Sequence, residues 1–444
     1  MADTNSLGGR LARYARVGGT GLGLAASMGV ARLRGGDFDK AQGAAQLRAA
    51  LGGLKGPVMK IAQIISTIPD AVPPEYAAEL SQLQSNAPAM GWPFVKRRMK
   101  AELGADWEGK YATFEHDAAA AASLGQVHRA TSHDGRALAA KLQYPDMASA
   151  VEADLGQLDL MFGIYARFDK SIDTAQIHAE LAERLREELD YEHEARNLAL
   201  YREMLAGEPG VHLPEVLPDL SSRRLLTMTW LDGRPLLDFK GEDLATRNRI
   251  AENLFRAWYV PLHHFGVIHG DPHLGNYTVR DDLSINLLDF GCVRVFPPHF
   301  IGGVVDLYHA LQRGDDDLAA HAFERWGFVG LSREILDTLL IWAKFLYGPL
   351  LDDRVRVIDA SGNPATYGRQ TVAKVHSRLR ELGTVTIPRE FVFMDRAAVG
   401  LGGVFMHLKA ELNWHDMFNA MIDAYPVEAM AAKQSAALVR AGLA

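Results

Sequence analysis

Cysteine is almost missing from this sequence of 444 residues: Cys292 is the only one. No intrachain disulfide can form, nothing points to an oxidising compartment, and a cysteine-built zinc site is excluded. Positive charge is also in short supply. The 47 Lys and Arg against 55 Asp and Glu leave a net charge of −8, which gives no general electrostatic reason to bind nucleic acid, and no such partner is expected. Long apolar runs are lacking too, since no stretch reaches the roughly 18 residues of a spanning helix. The nearest approach, Gly18 to Ala31, starts late and is diluted by glycine, which points away from a cleaved signal peptide. Arg10, Arg13 and Arg16 precede it and Arg32 and Arg34 follow it. Two readings stand for it: an interfacial segment whose arginines meet anionic headgroups, or a small-residue helix packed on the domain.

What the sequence does contain is ordinary for a globular chain, 48% hydrophobic and 23% charged, and its length allows two or three cores. Residues 1–40 are rich in Gly, Ala and Arg and are a candidate membrane contact. Residues 41–105 read as helices broken by prolines. From 106 to 231 the pattern turns to short strands, such as Gln126 to Ala130 and Ala137 to Gln143, followed by a long helical stretch from about Val151 to Leu205. That stretch is expected to break only near Asp169 to Asp173. Leu225 to Leu231 reads as a buried strand. Residues 232–444 are expected to be mostly helical, beginning with a helix from Leu244 to Phe265 and interrupted by a hairpin with arms Tyr277 to Val279 and Ile285 to Asp289. This order predicts an α+β class and a two-lobed, protein-kinase-like fold with an N-terminal helical extension and a helical C-terminal lobe.

Phosphoryl chemistry on ATP needs Mg²⁺, hard oxygen ligands to hold it, and a base near the acceptor. His269-Gly270-Asp271-Pro272-His273-Leu274-Gly275-Asn276 sets an Asp and an Asn four intervening residues apart, the spacing kinase-like loops use for a base and a metal-binding amide. A hydrophobic strand follows and ends in Asp289-Phe290-Gly291, whose Asp suits a second metal ligand. Turn chemistry could place each residue singly, but three such coincidences in one order favour the metal-phosphate reading. Upstream, Ala120, Ala122, Gly125 and Val127 occupy the fixed positions of the kinase phosphate loop. Only the third glycine survives, so the segment Ala120-Ala121-Ala122-Ser123 is expected to cover a nucleotide more stiffly, with Ser123 able to donate a hydrogen bond. Lys141 lies on an apolar strand, where a buried ammonium needs a partner. Candidates fall in Arg186 to Glu194. On one continuous helix Glu188 and Glu194 diverge by about 120°, so one could meet Lys141 while the other faces another neighbour. Ordinary protein kinases have a long activation segment after Asp-Phe-Gly and an arginine where Gly270 stands. Both are missing here.

These motifs resemble the UbiB/AarF family of atypical kinase-like proteins, from about Leu51 to Tyr425. The resemblance rests on Ala120 to Ser123 with Gly125-Gln126-Val127-His128, Lys141 followed by Gln143-Tyr144-Pro145, Glu188-Leu189-Asp190, Asp271 to Asn276, and Asp289-Phe290-Gly291. Lys60-Ile61-Ala62-Gln63 fits the family's K-x-G-Q signature except at Ala62. By this resemblance Lys60 and Gln63 sit on an extension folded over the active site, Glu188 and Asp190 face that extension, and Glu194 pairs with Lys141. Asp271, Lys141 and Glu194 are then the catalytic set, and Asn276 and Asp289 the metal ligands. The family implies an ATPase or kinase using ATP and Mg²⁺, working beside ubiquinone-biosynthesis enzymes on a lipid or isoprenoid-like ligand, with an anionic membrane surface among its partners. It also implies a cytoplasmic or matrix-side location, peripheral on an inner membrane. Two other readings compete: a small-molecule phosphotransferase of the aminoglycoside or choline kinase type, and a nucleotide-binding scaffold without phosphoryl transfer.

Overall fold

A computed structural model describes residues 90–122, 124–168, 174–359, 368–382, 388–422 and 427–444. Lys60, Gln63, Ser123 and the apolar stretch 18–31 lie outside the described residues. The chain divides into two compact units. One takes in Met1–Ala105 (of which 90–105 are described), Glu115–His128 and Lys141–Leu189, and the other Asp106–Phe114, Arg129–Ala140 and Asp190–Ala444. Helix α1 (Trp92–Leu103) leads into strands β1 (Thr113–Ala122), β2 (Gly125–Thr131) and β3 (Ala137–Gln143), then α2 (Met147–Phe168), α3 (Thr174–Glu187) and α4 (Tyr191–Met204). Strands β4 (Val211–His212), β5 (Leu225–Thr229) and β6 (Arg234–Pro235) precede α5 (Leu244–Phe265). Next come β7 (Val267–His269), β8 (Tyr277–Val279), β9 (Ile285–Leu287) and β10 (Val293–Val295). The rest is helical: α6 (Pro298–Arg313), α7 (Asp316–Arg325), α8 (Arg333–Leu351), α9 (Arg369–Leu382), α10 (Arg389–Leu408), α11 (Trp414–Ile422) and α12 (Val427–Ala441). Sheet orders are β1-β2-β3-β5, β4-β9-β8-β6 and β10-β7. The class is therefore α+β, as the sequence predicts.

In the first unit, α1 starts with Pro93 in its first turn and buries Val95 and Met99, four residues apart on one face. Its Arg98 guanidinium donates to the carbonyls of Gln143 (3.2 Å) and Tyr144 (3.0 Å), tying the helix to the end of β3. The buried Gln126 closes a second knot. Its Oε1 accepts the Met90 N–H, and its amide donates to Met90 O (3.3 Å) and to His128 Nε2 (2.6 Å). His128 Nδ1–H in turn donates to Glu115 O (2.8 Å). That proton leaves Nε2 as the acceptor, and burial holds the imidazole below its ordinary value.

The helical stretch has a break that the sequence does not predict, while the interval 169–173 where a break is expected lies outside the described residues. Helix α3 stops at Glu187 and α4 starts at Tyr191. Asp190 caps the new helix, its Oδ1 accepting the His193 N–H at 3.0 Å. Glu188 and Glu194 thus stand on different segments, and the 120° divergence drawn from one continuous helix does not apply.

In the second unit, α5 runs from Leu244 to Phe265 as expected, capped by Asp243 and ended by Gly266 in a left-handed conformation, φ +63°. A side chain at Gly266 would also strike Gln434 at 2.5 Å. The buried face of α5 meets α10 and α11 around an apolar cavity of about 70 Å³ lined by Trp258, Tyr259, His263, Tyr347, Met394 and Phe418, among others. His263 is fully buried there, its ring edge-on to Phe418. Burial, helped by the neighbouring His264, pulls its imidazole down to about 3 from an ordinary 6.5. The unfolded chain then takes up the proton first as pH falls. This part of the stability is intact above about pH 6.5 and lost progressively toward pH 3, a loss of about 2 kcal/mol by pH 5. Urea unfolding at pH 7 and pH 5 should show the wild type losing that much more than His263→Phe. Equal losses would remove His263 as the cause.

Candidate active site

Short local bonds in the second unit build the site. β7 emerges from the α5 terminus and pairs antiparallel with β10, with Val293 opposite His269 and Val295 opposite Val267. Gly270 N–H donates to Cys292 O at 2.6 Å, extending the pairing by one bond. A Cβ at position 270 would lie 2.6 Å from Cys292 Sγ and 3.3 Å from Cys292 O. This is the physical reason for glycine where ordinary kinases carry arginine.

His269, which the sequence reading left without a role, joins the two motifs. Its Nδ1 accepts the Asp271 N–H (3.2 Å) and its Nε2–H donates to Asp289 O (2.5 Å). The ring is buried among Trp258, Tyr201 and Phe290. Asp271 continues into Pro272, which packs on Gly400 of α10 so closely that a Cβ there would sit 2.3 Å from Pro272 Cγ. A single turn of 3₁₀ helix, Leu274–Asn276, then delivers Asn276. Its Nδ2 donates to Asp271 O at 3.0 Å, while its own carbonyl accepts the Leu288 N–H at 3.1 Å. The amide nitrogen being used, the amide oxygen is the end left to act as a ligand. Asn276 therefore links the Asp271 loop to the residue before Asp289.

The hairpin expected between the motifs is present, β8 facing β9 with Tyr277 opposite Leu287 and Val279 opposite Ile285. β9 ends at Leu287, two residues before the Asp289 expected to close it. Asp289 Oδ1 accepts the Gly291 N–H at 2.9 Å. Phe290, 1% exposed, is held by α4: Glu194 Oε1 accepts its N–H at 3.5 Å and Asn197 Nδ2 donates to its carbonyl at 3.0 Å. Asn197 was also missed by sequence reasoning. Its one sequence signal is its place three residues beyond Glu194, on the same helical face. Asp190, besides capping α4, lies 3.9 Å from the Arg223 guanidinium.

In the first unit, Lys141 is buried on β3 at 8% exposure. Gln143, two residues on and on the same strand face, donates to Leu189 O at 2.9 Å, which fixes the link where Glu188 sits. The expected alanine loop takes another form. Ala120 and Ala121 are exposed and, with Ala122, belong to β1, which runs to Ala122 before β2 begins at Gly125. Backbone pairing in the sheet overrides alanine's preference for helix. Gly125 is buried and Val127 half-buried. The second-unit residues Asp271, Asn276, Asp289 and Glu194 are thus brought together, through His269, Asn197 and Phe290.

Comparison with known proteins agrees with the kinase-like fold. The mitochondrial atypical kinase coq-8 of Caenorhabditis elegans is 27% identical over 389 residues, covering 85% of this chain and 50% of the relative. The mitochondrial atypical kinase COQ8 of Saccharomyces cerevisiae is 31% identical over 250 residues, covering 56% of this chain and 50% of the relative. The chain spans about half the length of these curated relatives. A solved structure of Rv3197 from Mycobacterium tuberculosis in complex with erythromycin has a TM-score of 0.59 and 24% identity, covering 86% of this chain and 96% of that one, a likeness of fold. Residues 82–322, more than half of the chain and every motif from the alanine strand to Asp-Phe-Gly, match the ABC1 atypical kinase-like domain, and the chain belongs to this kinase-like family.

Proposed function

We propose that this chain is a Mg²⁺-dependent ATPase or kinase that supports assembly of ubiquinone-type isoprenoid lipids at a membrane surface. The observation that carries the reading is the bonding of Asn276, which ties the backbone of Asp271 to the residue preceding Asp289. A carboxylate and an amide oxygen are hard oxygen donors of the kind that suits Mg²⁺. Asn276 and Asp289 are the proposed ligands, and the ion, when bound, neutralises phosphate oxygens. Asp271 accepts the proton of the attacking hydroxyl or water. Lys141, by its motif, holds the nucleotide phosphates. Lys60, Gln63, Glu188 and Asp190 restrict access in place of a peptide-docking segment.

The lipid setting comes from the family resemblance and from relatives named atypical kinases of mitochondria. No helix among the described residues is long and apolar enough to cross a membrane, and the membrane contact proposed here is a peripheral one. The test is ATP hydrolysis with and without Mg²⁺, anionic vesicles and an isoprenoid phenol. Expected are Mg²⁺-dependent turnover and a rise with the vesicles or the phenol. Nucleotide binding without any turnover would leave only the scaffold reading, and turnover indifferent to both additions would remove the lipid setting.

A further inference from the structure

We propose that Asn197 is a positioning residue that aims the Asp289 carboxylate by gripping the backbone of its neighbour, Phe290. The inference rests on the metal-site reading above and deepens it. Two peptide groups flank Phe290, and each has one carbonyl and one N–H to satisfy. In the first, Asp289 O is held by His269 (2.5 Å) and Phe290 N–H by Glu194 (3.5 Å). In the second, Phe290 O is held by Asn197 (3.0 Å) and Gly291 N–H by Asp289 Oδ1 (2.9 Å).

The last bond orients the Oδ1 end of the carboxylate, and it does so firmly only if the peptide bearing that N–H is itself fixed. Asn197 supplies the other end of that peptide. Of the two grips from α4 its bond is the shorter, so it is the better restraint. Asn197 and Glu194 are each 2% exposed and Phe290 is 1% exposed. Water is therefore poorly placed to replace a lost partner, and an unsatisfied Phe290 carbonyl would drive the peptide to rotate. Rotation moves the Gly291 N–H, and the Asp289 carboxylate follows it. The effect should appear in metal affinity before it appears in anything else.

The experiment titrates Mg²⁺ at fixed nucleotide, reading ATP hydrolysis and the binding of a fluorescent ADP. Asn197→Leu keeps the branched skeleton of four heavy atoms and removes the donor, and Asn197→Asp sets an acceptor against the Phe290 carbonyl. Asn253→Leu is the control. Asn253 is also buried and also donates to a backbone carbonyl, Leu283 O at 2.9 Å, but it lies outside the site. Half-saturating Mg²⁺ is expected to rise about tenfold in both Asn197 variants. In Asn253→Leu it should stay at the wild-type value although the melting temperature falls comparably. A melting temperature lowered in all three, with half-saturating Mg²⁺ unchanged or moved equally, would overturn the proposal and leave Asn197 a structural residue. If the wild type binds ADP without any dependence on Mg²⁺, the metal-site reading itself fails. A failed clamp with an intact wild-type Mg²⁺ response leaves that reading standing.

Discussion

Asp289→Asn is expected to lower Mg²⁺-dependent ATP turnover about a thousandfold while leaving the fold intact. The substitution is nearly isosteric. Its Oδ1 can still accept the Gly291 N–H, the bond that Asp289 makes at 2.9 Å, and its backbone can still receive His269 and present Phe290 to Glu194 and Asn197. What disappears is one negative charge at the proposed metal ligand. A bound cation contributes several kcal/mol of charge stabilisation in such a transfer, and about 4 kcal/mol corresponds to a thousandfold in rate. The rate should fall with the melting temperature held within a degree or two. If turnover survives in the variant at more than a tenth of the wild-type rate, Asp289 is not a ligand of the working ion.

That prediction depends on residues legible in the sequence, because the chemistry of Asp271, Asn276 and Asp289 is carried by fixed local spacing. The hairpin between them was legible for the same reason: its arms alternate and its length admits little else. The supporting groups were not. His269 and Asn197 act through backbone carbonyls of residues far along the chain, Asp289 and Phe290, and no spacing rule reports such a contact. The break between α3 and α4 was missed because the charged, helix-favouring run from Arg186 to Glu194 has no proline or glycine to mark it. Asp190 was the available signal, since an aspartate is a strong N-cap and its Oδ1 does accept the His193 N–H. For Ala120 to Ala122, the match to a phosphate loop did not show that β1 carries these residues, a neighbouring strand satisfying their backbone.

Gly270 is a position where an absence in the sequence has a measurable structural cause. Arginine is what ordinary protein kinases carry there, so Gly270→Arg probes the departure directly. It is expected to cost about 3 kcal/mol of stability, near the upper end of ordinary overpacking. The first added carbon already falls 2.6 Å from Cys292 Sγ and 3.3 Å from the Cys292 carbonyl. That carbonyl accepts the Gly270 N–H, so relief by moving residue 292 away weakens a bond between the loop and the segment after Asp-Phe-Gly. His269 would be pulled from Asp289 O by the same displacement, so turnover should fall together with stability. Gly270→Ala isolates the steric origin, because Cys292→Ala removes the nearer of the two obstructing atoms. Urea unfolding of the four chains in this cycle should show Gly270→Ala destabilised by about 2 kcal/mol alone and by less than half of that in the Cys292→Ala background. Additive losses in the double variant would mean that the sulfur is not what excludes a side chain at position 270, and the backbone contact would have to account for the whole effect.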